Sequence, residues 1–351
     1  MLTKMIETLK KNPRTIVFTE GTDARILTAA EKLTKEGILG VILLGVKEEV
    51  EAAAKAGNFD ISKCSIIDPL KYDKIDPMVE EMVKLRKGKM TEEKVRAALS
   101  KSNYFGTMLV KMGDADCLLG GATYSTADTV RPALQLIKTK PGNKIVSSCF
   151  ILVRGDEKIA MGDCAINIDP SEDDLVEIAI ESAKTAKIFG IDPKVAMLSY
   201  STLGSGKGPS VTKVANATKK IKEAAPDLKV EGEIQFDASV SPEVGQLKAP
   251  GSPVAGQANT FIFPDINAGN IGYKIASRLG GYTAVGPVLQ GLNAPINDLS
   301  RGCTAEEVYS MSIVTAALSV PEEEANVDMK ELEDVVRTVV AAIKAVKELK
   351  K

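Results

Sequence analysis

Histidine and tryptophan are both missing from this chain of 351 residues. Without histidine there is no Ser-His or Cys-His nucleophile pair, no imidazole metal ligand and no imidazole proton shuttle. With no tryptophan and only 4% aromatic residues, base-stacking platforms for single-stranded nucleic acid are not expected. No stretch approaches the roughly 20 apolar residues of a membrane span. The first residues, Met1 to Lys11, lack the apolar core of a secretory signal and read as a short amphipathic helix. The five cysteines (Cys64, Cys117, Cys149, Cys164, Cys303) are odd in number, scattered and never in C-x-x-C. That usage fits reduced thiols in a cytoplasm, not a disulfide framework. Arginine is scarce as well: 45 residues are Lys or Arg, and only nine of them are Arg. Where lysine is so preferred, each arginine raises the question of what its planar fork binds.

What is present is ordinary for a soluble globular protein: 44% hydrophobic, 26% charged and a net charge of −2. The length suggests two domains. Short apolar runs alternate with helical patterns. Strands are predicted at 15–19, 40–45, 65–68 and 116–120, helices at 23–36, 47–56 and about 127–137, and a helix-rich stretch from about 77 to 111. This alternation indicates a doubly wound parallel sheet. A Pro-Gly turn within Thr139–Asn143 marks a boundary. Beyond it a hairpin (144–153 and 158–162), a helix at 172–189 and further strands (195–200, 229–236, 259–263) and helices (210–224, 271–279) follow. Residues 280–301 read as a long turn-rich stretch, and two helical patterns close the chain, Ala305 to Ala317 and about Met329 to Lys350. The lysines ending the last pattern suit a helix C-terminus.

Four stretches carry chemistry. In Gly120-Gly-Ala-Thr-Tyr-Ser-Thr-Ala-Asp-Thr-Val-Arg131 a strand end feeds a hydroxyl-rich loop and then a helix, where open α/β sheets place ligands. Ser125, Thr126 and the first helical N–H groups are candidates to ring a phosphate. Thr126 or Asp128 also suits a helix cap. Arg131 close to a positive helix end is electrostatically unfavourable unless an anion is near. Ser199-Tyr-Ser-Thr-Leu-Gly-Ser-Gly-Lys-Gly-Pro-Ser210 also joins a strand to a helix. It is neither a Walker A loop nor G-x-G-x-x-G, so it is either an anion-binding loop or a plain turn, with Ser201, Thr202, Gly204 and Gly206 as the contacts. In Asn297-Asp-Leu-Ser-Arg-Gly-Cys-Thr-Ala-Glu-Glu307 the pair Thr304 and Glu307 matches a capping box. Ser300-Arg301 has no such local explanation. Cys303, with no cation in view other than Arg301, reads as an inert thiol. In Asn259–Lys274 glycines and asparagines, Asn270 among them, permit close ligand approach. Asp265 lacks the second carboxylate that a divalent site would show, so no metal is expected.

Taken in order, these stretches resemble the phosphate acetyltransferase and phosphate butyryltransferase family. The resemblance runs from Val17-Phe-Thr-Glu-Gly21 through Gly121-Ala-Thr and Thr129-Val-Arg-Pro132 to Ser199-Tyr-Ser-Thr202. It continues through Gly232-Glu-Ile-Gln235, Asp237-Ala238, Lys248-Ala-Pro250 and Val254-Ala-Gly256. It closes on Phe263-Pro-Asp265, Ala268-Gly-Asn-Ile-Gly-Tyr273, Gly286-Pro287, Leu289-Gln-Gly291 and Asn297-Asp-Leu-Ser-Arg-Gly-Cys303. Nothing beyond about Val320 takes part.

The resemblance implies reversible acetyl transfer between acetyl phosphate and coenzyme A, which serves as a substrate and not as a bound cofactor. It implies two doubly wound α/β domains with the site in a cleft between them, similar to isocitrate and isopropylmalate dehydrogenases. The chain's end returns to the first domain, so the units are 1–143 plus 293–351, and 144–292. It also implies a cytoplasmic homodimer without nucleic-acid or membrane partners. The family's phosphate-binding arginines fall on Arg86, Arg131 and Arg301, with Ser125 and Thr126 at the same anion site, and its catalytic serine falls on Ser300. Its general base, an aspartate seven residues later, is replaced here by Glu307. The carboxylate is kept and its reach is one methylene longer. Acetyl phosphate is already activated, so direct attack by the thiolate suffices, and holding both substrates in attack geometry can contribute about 7–11 kcal/mol. A free thiol titrates near about 8.5, so a base or a positive field must help form the thiolate. Pocket size separates acetyl from butyryl transfer. A nicotinamide-dependent dehydrogenase on the similar fold predicts a metal-binding carboxylate cluster, and a non-catalytic acyl-phosphate module predicts a damaged Ser-Arg pair.

Overall fold

The computed structural model describes residues 2–321; the helical pattern read from Met329 to Lys350 lies outside them. The chain opens with α1 (Leu2–Lys11), β1 (Thr15–Phe18), α2 (Ala24–Lys35), β2 (Gly40–Leu44), α3 (Lys47–Gly57) and β3 (Ser65–Ile67). Next come α4 (Ile75–Arg86), α5 (Glu92–Leu99), α6 (Ser102–Met112), β4 (Cys117–Gly120) and α7 (Thr126–Pro132), which runs into a π-helical turn at Ala133–Ile137. A hairpin of β5 (Ser147–Arg154) and β6 (Glu157–Gly162) leads to α8 (Glu172–Ile188), β7 (Lys194–Leu198), α9 (Pro209–Ala224) and β8 (Lys229–Ile234). Then α10 (Phe236–Val240), α11 (Pro242–Lys248), β9 (Thr260–Ile262), α12 (Ile266–Arg278), β10 (Thr283–Gln290), β11 (Ile296–Asp298) and α13 (Ala305–Ala317) complete the described chain.

Local chemistry sets many of these bounds. Asp23 caps α2 and Thr91 caps α5, while Ser171 with Asp174 and Thr304 with Glu307 form capping boxes on α8 and α13. Strands such as β4, Cys-Leu-Leu-Gly, are buried along their whole length, as expected of parallel strands covered on both faces.

The strands make two sheets. The first is wholly parallel in the order β11-β4-β1-β2-β3. The second runs β10-β5-β6-β9-β7-β8, with antiparallel pairs at the β10-β5-β6 end. Each has apolar clusters on both faces. Around the first sheet, Met5, Leu9, Ile26, Leu33, Val308 and Ile313 gather on one side, and Met78, Met82, Phe105 and Leu136 on the other. Around the second, Phe150, Phe261 and Phe263 lie on one side, and Leu175, Val195, Val214 and Ile221 on the other. Each such side chain contributes about 1.5–3 kcal/mol when fully buried. Cys149, Ile151 and Val288 of the second sheet join the first sheet's cluster, so the two sheets share a core.

Three features depart from the sequence reading. The turn-rich stretch from 280 to 301 holds two strands: β10 closes the second sheet and β11 lies at the edge of the first. Its breakers, Gly286 and Pro287, fall where the β10-β5 register shifts between Val285 and Val288. Helix α12 begins at Ile266, five residues earlier than predicted, and α10 and α11 were not anticipated. The chain crosses between the sheets twice, side by side. Lys140 donates its N–H to the Gly291 carbonyl at 3.0 Å, and Asn293 donates to the Lys138 carbonyl at 3.0 Å.

Candidate active site

The C-terminal ends of β1, β4 and β11 are neighbours in the first sheet, and the segments leaving them are tied together. Glu20, after β1, is buried. Its carboxylate accepts the N–H groups of Gly121 (3.0 Å) and Thr123 (3.1 Å) and the Thr19 hydroxyl (2.7 Å). Burial pushes this carboxyl above its ordinary range, and those hydrogen bonds pull it partly back. Arg25, on the first turn of α2, pairs with Asp23 at 2.8 Å. It also donates to the carbonyls of Ala122 (2.9 Å), Arg301 (2.8 Å) and Cys303 (3.1 Å). One guanidinium thus joins all three strand ends. Asp298, at the end of β11, accepts the Thr126 hydroxyl at 2.6 Å and the Thr129 hydroxyl at 2.5 Å.

The structure brings Ser300, Cys303 and Glu307 to one cavity of about 300 Å³. Its walls are Asp298–Ser300, the start of α13 with Ser310 and Met311, and Thr283–Gly286 of the other sheet's β10. Ser300 is exposed, and its Oγ accepts the Gly302 N–H at 3.3 Å. Glu307 completes the capping box: Oε2 accepts the Thr304 N–H at 2.7 Å and the Thr304 hydroxyl at 3.2 Å, and Oε1 makes no hydrogen bond among the described residues. The cation beside Cys303 is Arg25, 3.6 Å from its sulfur, and not Arg301 as the sequence suggested. Burial pushes the Cys303 thiol up, with Arg25 opposing, so it rests as a protonated thiol.

The arginines divide sharply. Arg14, Arg25, Arg96 and Arg154 pair with carboxylates. Arg86, Arg131 and Arg301, like Arg278 on α12, pair with none among the described residues, and the buried Nε of Arg86 has no hydrogen-bond partner. Arg86 ends α4, which packs on the π-helical turn continuing α7, the helix of Arg131. None of Arg86, Arg131 and Arg301 lines the cavity of Ser300 and Glu307, and Arg301, next to Ser300 in sequence, is exposed. The hydroxyl protons of the phosphate-loop candidates go to carboxylates, Ser125 to Asp128 (2.7 Å) and Thr126 to Asp298.

The second loop is tied inward. Glu233, buried on β8, accepts the Ser201 hydroxyl at 2.9 Å and the Gly204 N–H at 2.6 Å, and Gly206 donates to Ser201 at 2.8 Å. Thr202 and Gln235 are joined at 3.0 Å. Asn270 lies inside α12 and donates to the Cys164 carbonyl at 3.0 Å. Asp265 caps α12 through the N–H groups of Asn267 and Ala268. Among the described residues no cluster of three or more Cys, Asp or Glu could hold a metal ion. Sequence reading missed Glu20, Arg25 and Asp298 as parts of the site. The only signal was that Glu20 and Asp298 stand within stretches already singled out.

Comparison with known proteins places the chain in a family. Residues 1–316 match the phosphate acetyl/butaryl transferase family. A phosphate acetyltransferase of Bacillus subtilis (strain 168) is 56% identical over 302 residues, covering 86% of this chain and 94% of that one. A phosphotransacetylase structure from Streptococcus pyogenes superposes with a TM-score of 0.88 at 53% identity, covering 90% of this chain and 96% of the other. The fold alone extends to a Salmonella typhimurium structure assigned to the 4-hydroxythreonine-4-phosphate dehydrogenases, with a TM-score of 0.52 at 12% identity and coverage of 88% and 100%. By sequence and by fold, the chain belongs to the phosphate acetyl/butaryl transferase family.

Proposed function

We propose that the protein catalyses reversible transfer of an acetyl group between acetyl phosphate and coenzyme A, by direct attack of the thiolate in a ternary complex. The observation that carries the mechanism is that Arg86, Arg131 and Arg301, together with Arg278 on α12, pair with no carboxylate among the described residues, while Arg14, Arg25, Arg96 and Arg154 each hold one. A guanidinium fork without a protein anion suits a phosphoryl group, which it binds bidentately. Ser125 and Thr126 shape that end of the site, and the arginines supply its charge.

In the forward step the coenzyme A sulfur bonds to the acetyl carbon and the carbon–oxygen bond to phosphate breaks. The thiol proton passes to Glu307 through Oε1, and then to the departing phosphate. Ser300 donates its hydroxyl to the developing oxyanion, and Arg301 stabilises both thiolate and leaving phosphate. No covalent enzyme intermediate is required. The cleft lies between a unit of residues 1–143 plus 293–351 and one of residues 144–292. The loop of Ser201, Thr202, Gly204 and Gly206, with Asn270, belongs to the second unit and frames it from that side.

The enzyme works as a homodimer in the cytoplasm. Ile271 and Ile275 on α12 and Leu279 at its C-cap, four residues apart, form an exposed apolar stripe suited to a second copy. All five cysteines are free thiols, as in a reducing compartment.

The test mixes purified protein with coenzyme A and acetyl phosphate and follows thioester absorbance, with butyryl phosphate in a parallel arm and no added metal. Fast acetyl turnover is expected. A preference for butyryl phosphate would reassign the acyl group, and no turnover by folded protein would overturn the reading.

A further inference from the structure

We propose that Asp298 is a positioning residue for the phosphate half of the site. From the end of β11 it grips the first turn of α7, and so fixes where Arg131 stands relative to Ser300 and Arg301. This rests on the reading of those arginines as phosphate ligands.

The geometry is specific. Asp298 is paired with Gly120 across the β11-β4 ladder, and the next residue, Leu299, donates its N–H to the Gly120 carbonyl at 2.7 Å. The carboxylate therefore stands beside the loop that leaves β4. Each of its oxygens takes one hydroxyl, Oδ2 from Thr126 and Oδ1 from Thr129. Three residues apart, these threonines share one helix face. Two anchors on one face fix the helix's roll as well as its place. Arg131 follows two residues later, about 200° further round the helix, so a change of roll moves its guanidinium directly. The loop is built to admit the carboxylate: a Cβ on Gly121, which has φ +94°, would lie 2.2 Å from Asp298 Oδ1.

Stability alone does not account for this aspartate. It is 2% exposed, and no basic side chain pairs with it among the described residues. Burial pushes its carboxyl up, and two neutral hydroxyls only partly offset that. Taking a carboxylate out of water costs free energy unless a charge pairs with it, and none does here among the described residues. What the carboxylate offers and an apolar side chain lacks is a directional hold on two hydroxyls at once. Downstream of it the chain runs straight into Leu299-Ser300-Arg301, so one residue sets both halves of the anion site.

The experiment is steady-state kinetics on the full chain, with KM for acetyl phosphate and for coenzyme A measured separately. Asp298→Ala should raise the acetyl phosphate KM at least about tenfold and leave the coenzyme A KM within about twofold. Thr129→Val should move the same constant in the same direction, and Thr129→Ser should restore it. If Asp298→Ala does not fold, the Thr129 pair decides. A merely structural role predicts a lower active fraction, hence a lower kcat with both KM values unchanged, and that result would overturn the proposal. Arg131→Ala and Arg301→Ala run alongside. If they leave the acetyl phosphate KM unchanged, the phosphate reading and this inference fall together. If they raise it and the Asp298 and Thr129 variants do not, this inference falls alone.

Discussion

Two loops of this protein look alike in sequence and differ in the charges around them. Residues 120–131 and 199–210 each leave a parallel strand, carry glycines and hydroxyls, and enter a helix. Each is also braced by buried carboxylates, Glu20 and Asp298 in the first and Glu233 in the second. The difference lies in what is left over. Around the second loop the Ser201 hydroxyl and the N–H groups of Gly204 and Gly206 are consumed internally, and its one basic residue, Lys207, is an exposed lysine. Around the first, two guanidiniums, Arg131 and Arg301, remain without a partner among the described residues. Glycine and hydroxyl content therefore marks a loop that needs a carboxylate brace. Unpaired guanidiniums are what set the proposed anion loop apart from the other.

The contrast can be broken in several ways. The largest effect is expected at the start of α13, where Glu307→Gln should cost on the order of 10²-fold in kcat. Glutamine still completes a capping box, so melting should barely move; loss of melting temperature with full activity would make Glu307 a cap only. Arg301→Ala should lower turnover at least about tenfold without unfolding, and near-wild-type activity would remove it from the first loop's site. Glu233→Gln weakens the acceptor for Ser201 and Gly204, so about 1–3 kcal/mol of stability should be lost. Denaturant unfolding measures this, and an effect confined to the coenzyme A KM would instead make the second loop a binding loop.

The smallest effect is a pH dependence. Burial raises Asp298 in the folded state, so the folded protein holds this proton when the unfolded chain has lost it. Its contribution to stability is then greatest at acid pH and declines as pH rises from the ordinary aspartate range through the raised value. Asp298→Asn should gain on wild type over that interval. A flat difference would mean that the carboxyl is not perturbed.

The sequence was readable where one residue's environment is local. Thr304 and Glu307 declare their capping box three residues apart, and β1, β2 and β4 declare themselves as short apolar runs. It was opaque where a breaker had a distant reason. Gly286-Pro287 hid β10 because a Gly-Pro pair inside a strand is legible only once the register shift opposite β5 is known. Asn267, Gly269 and Asn270 hid the start of α12. A Cβ on Gly269 would lie 2.3 Å from the Asp163 carbonyl oxygen, so that glycine serves helix packing. In the candidate site, Ser300 and Glu307, with Arg301 beside them, lie in one stretch that the family resemblance singles out. Glu20, Arg25 and Asp298 could not be named from the sequence, because their partners lie about a hundred or more residues away and only the β11-β4-β1 order brings them together.

The paired crossings between the sheets have a mechanical consequence. Residues 138–140 and 291–293 are zipped to each other, and the sheets also share the cluster around Ile151 and Val288. A protease that cuts either crossing once leaves the halves joined by the other strand of chain and by that common core. A singly nicked protein should run as one species on a native gel and separate only after both cuts or in denaturant. Separation of a doubly cut chain without denaturant would show that the covalent crossings, more than the shared core, hold the halves together.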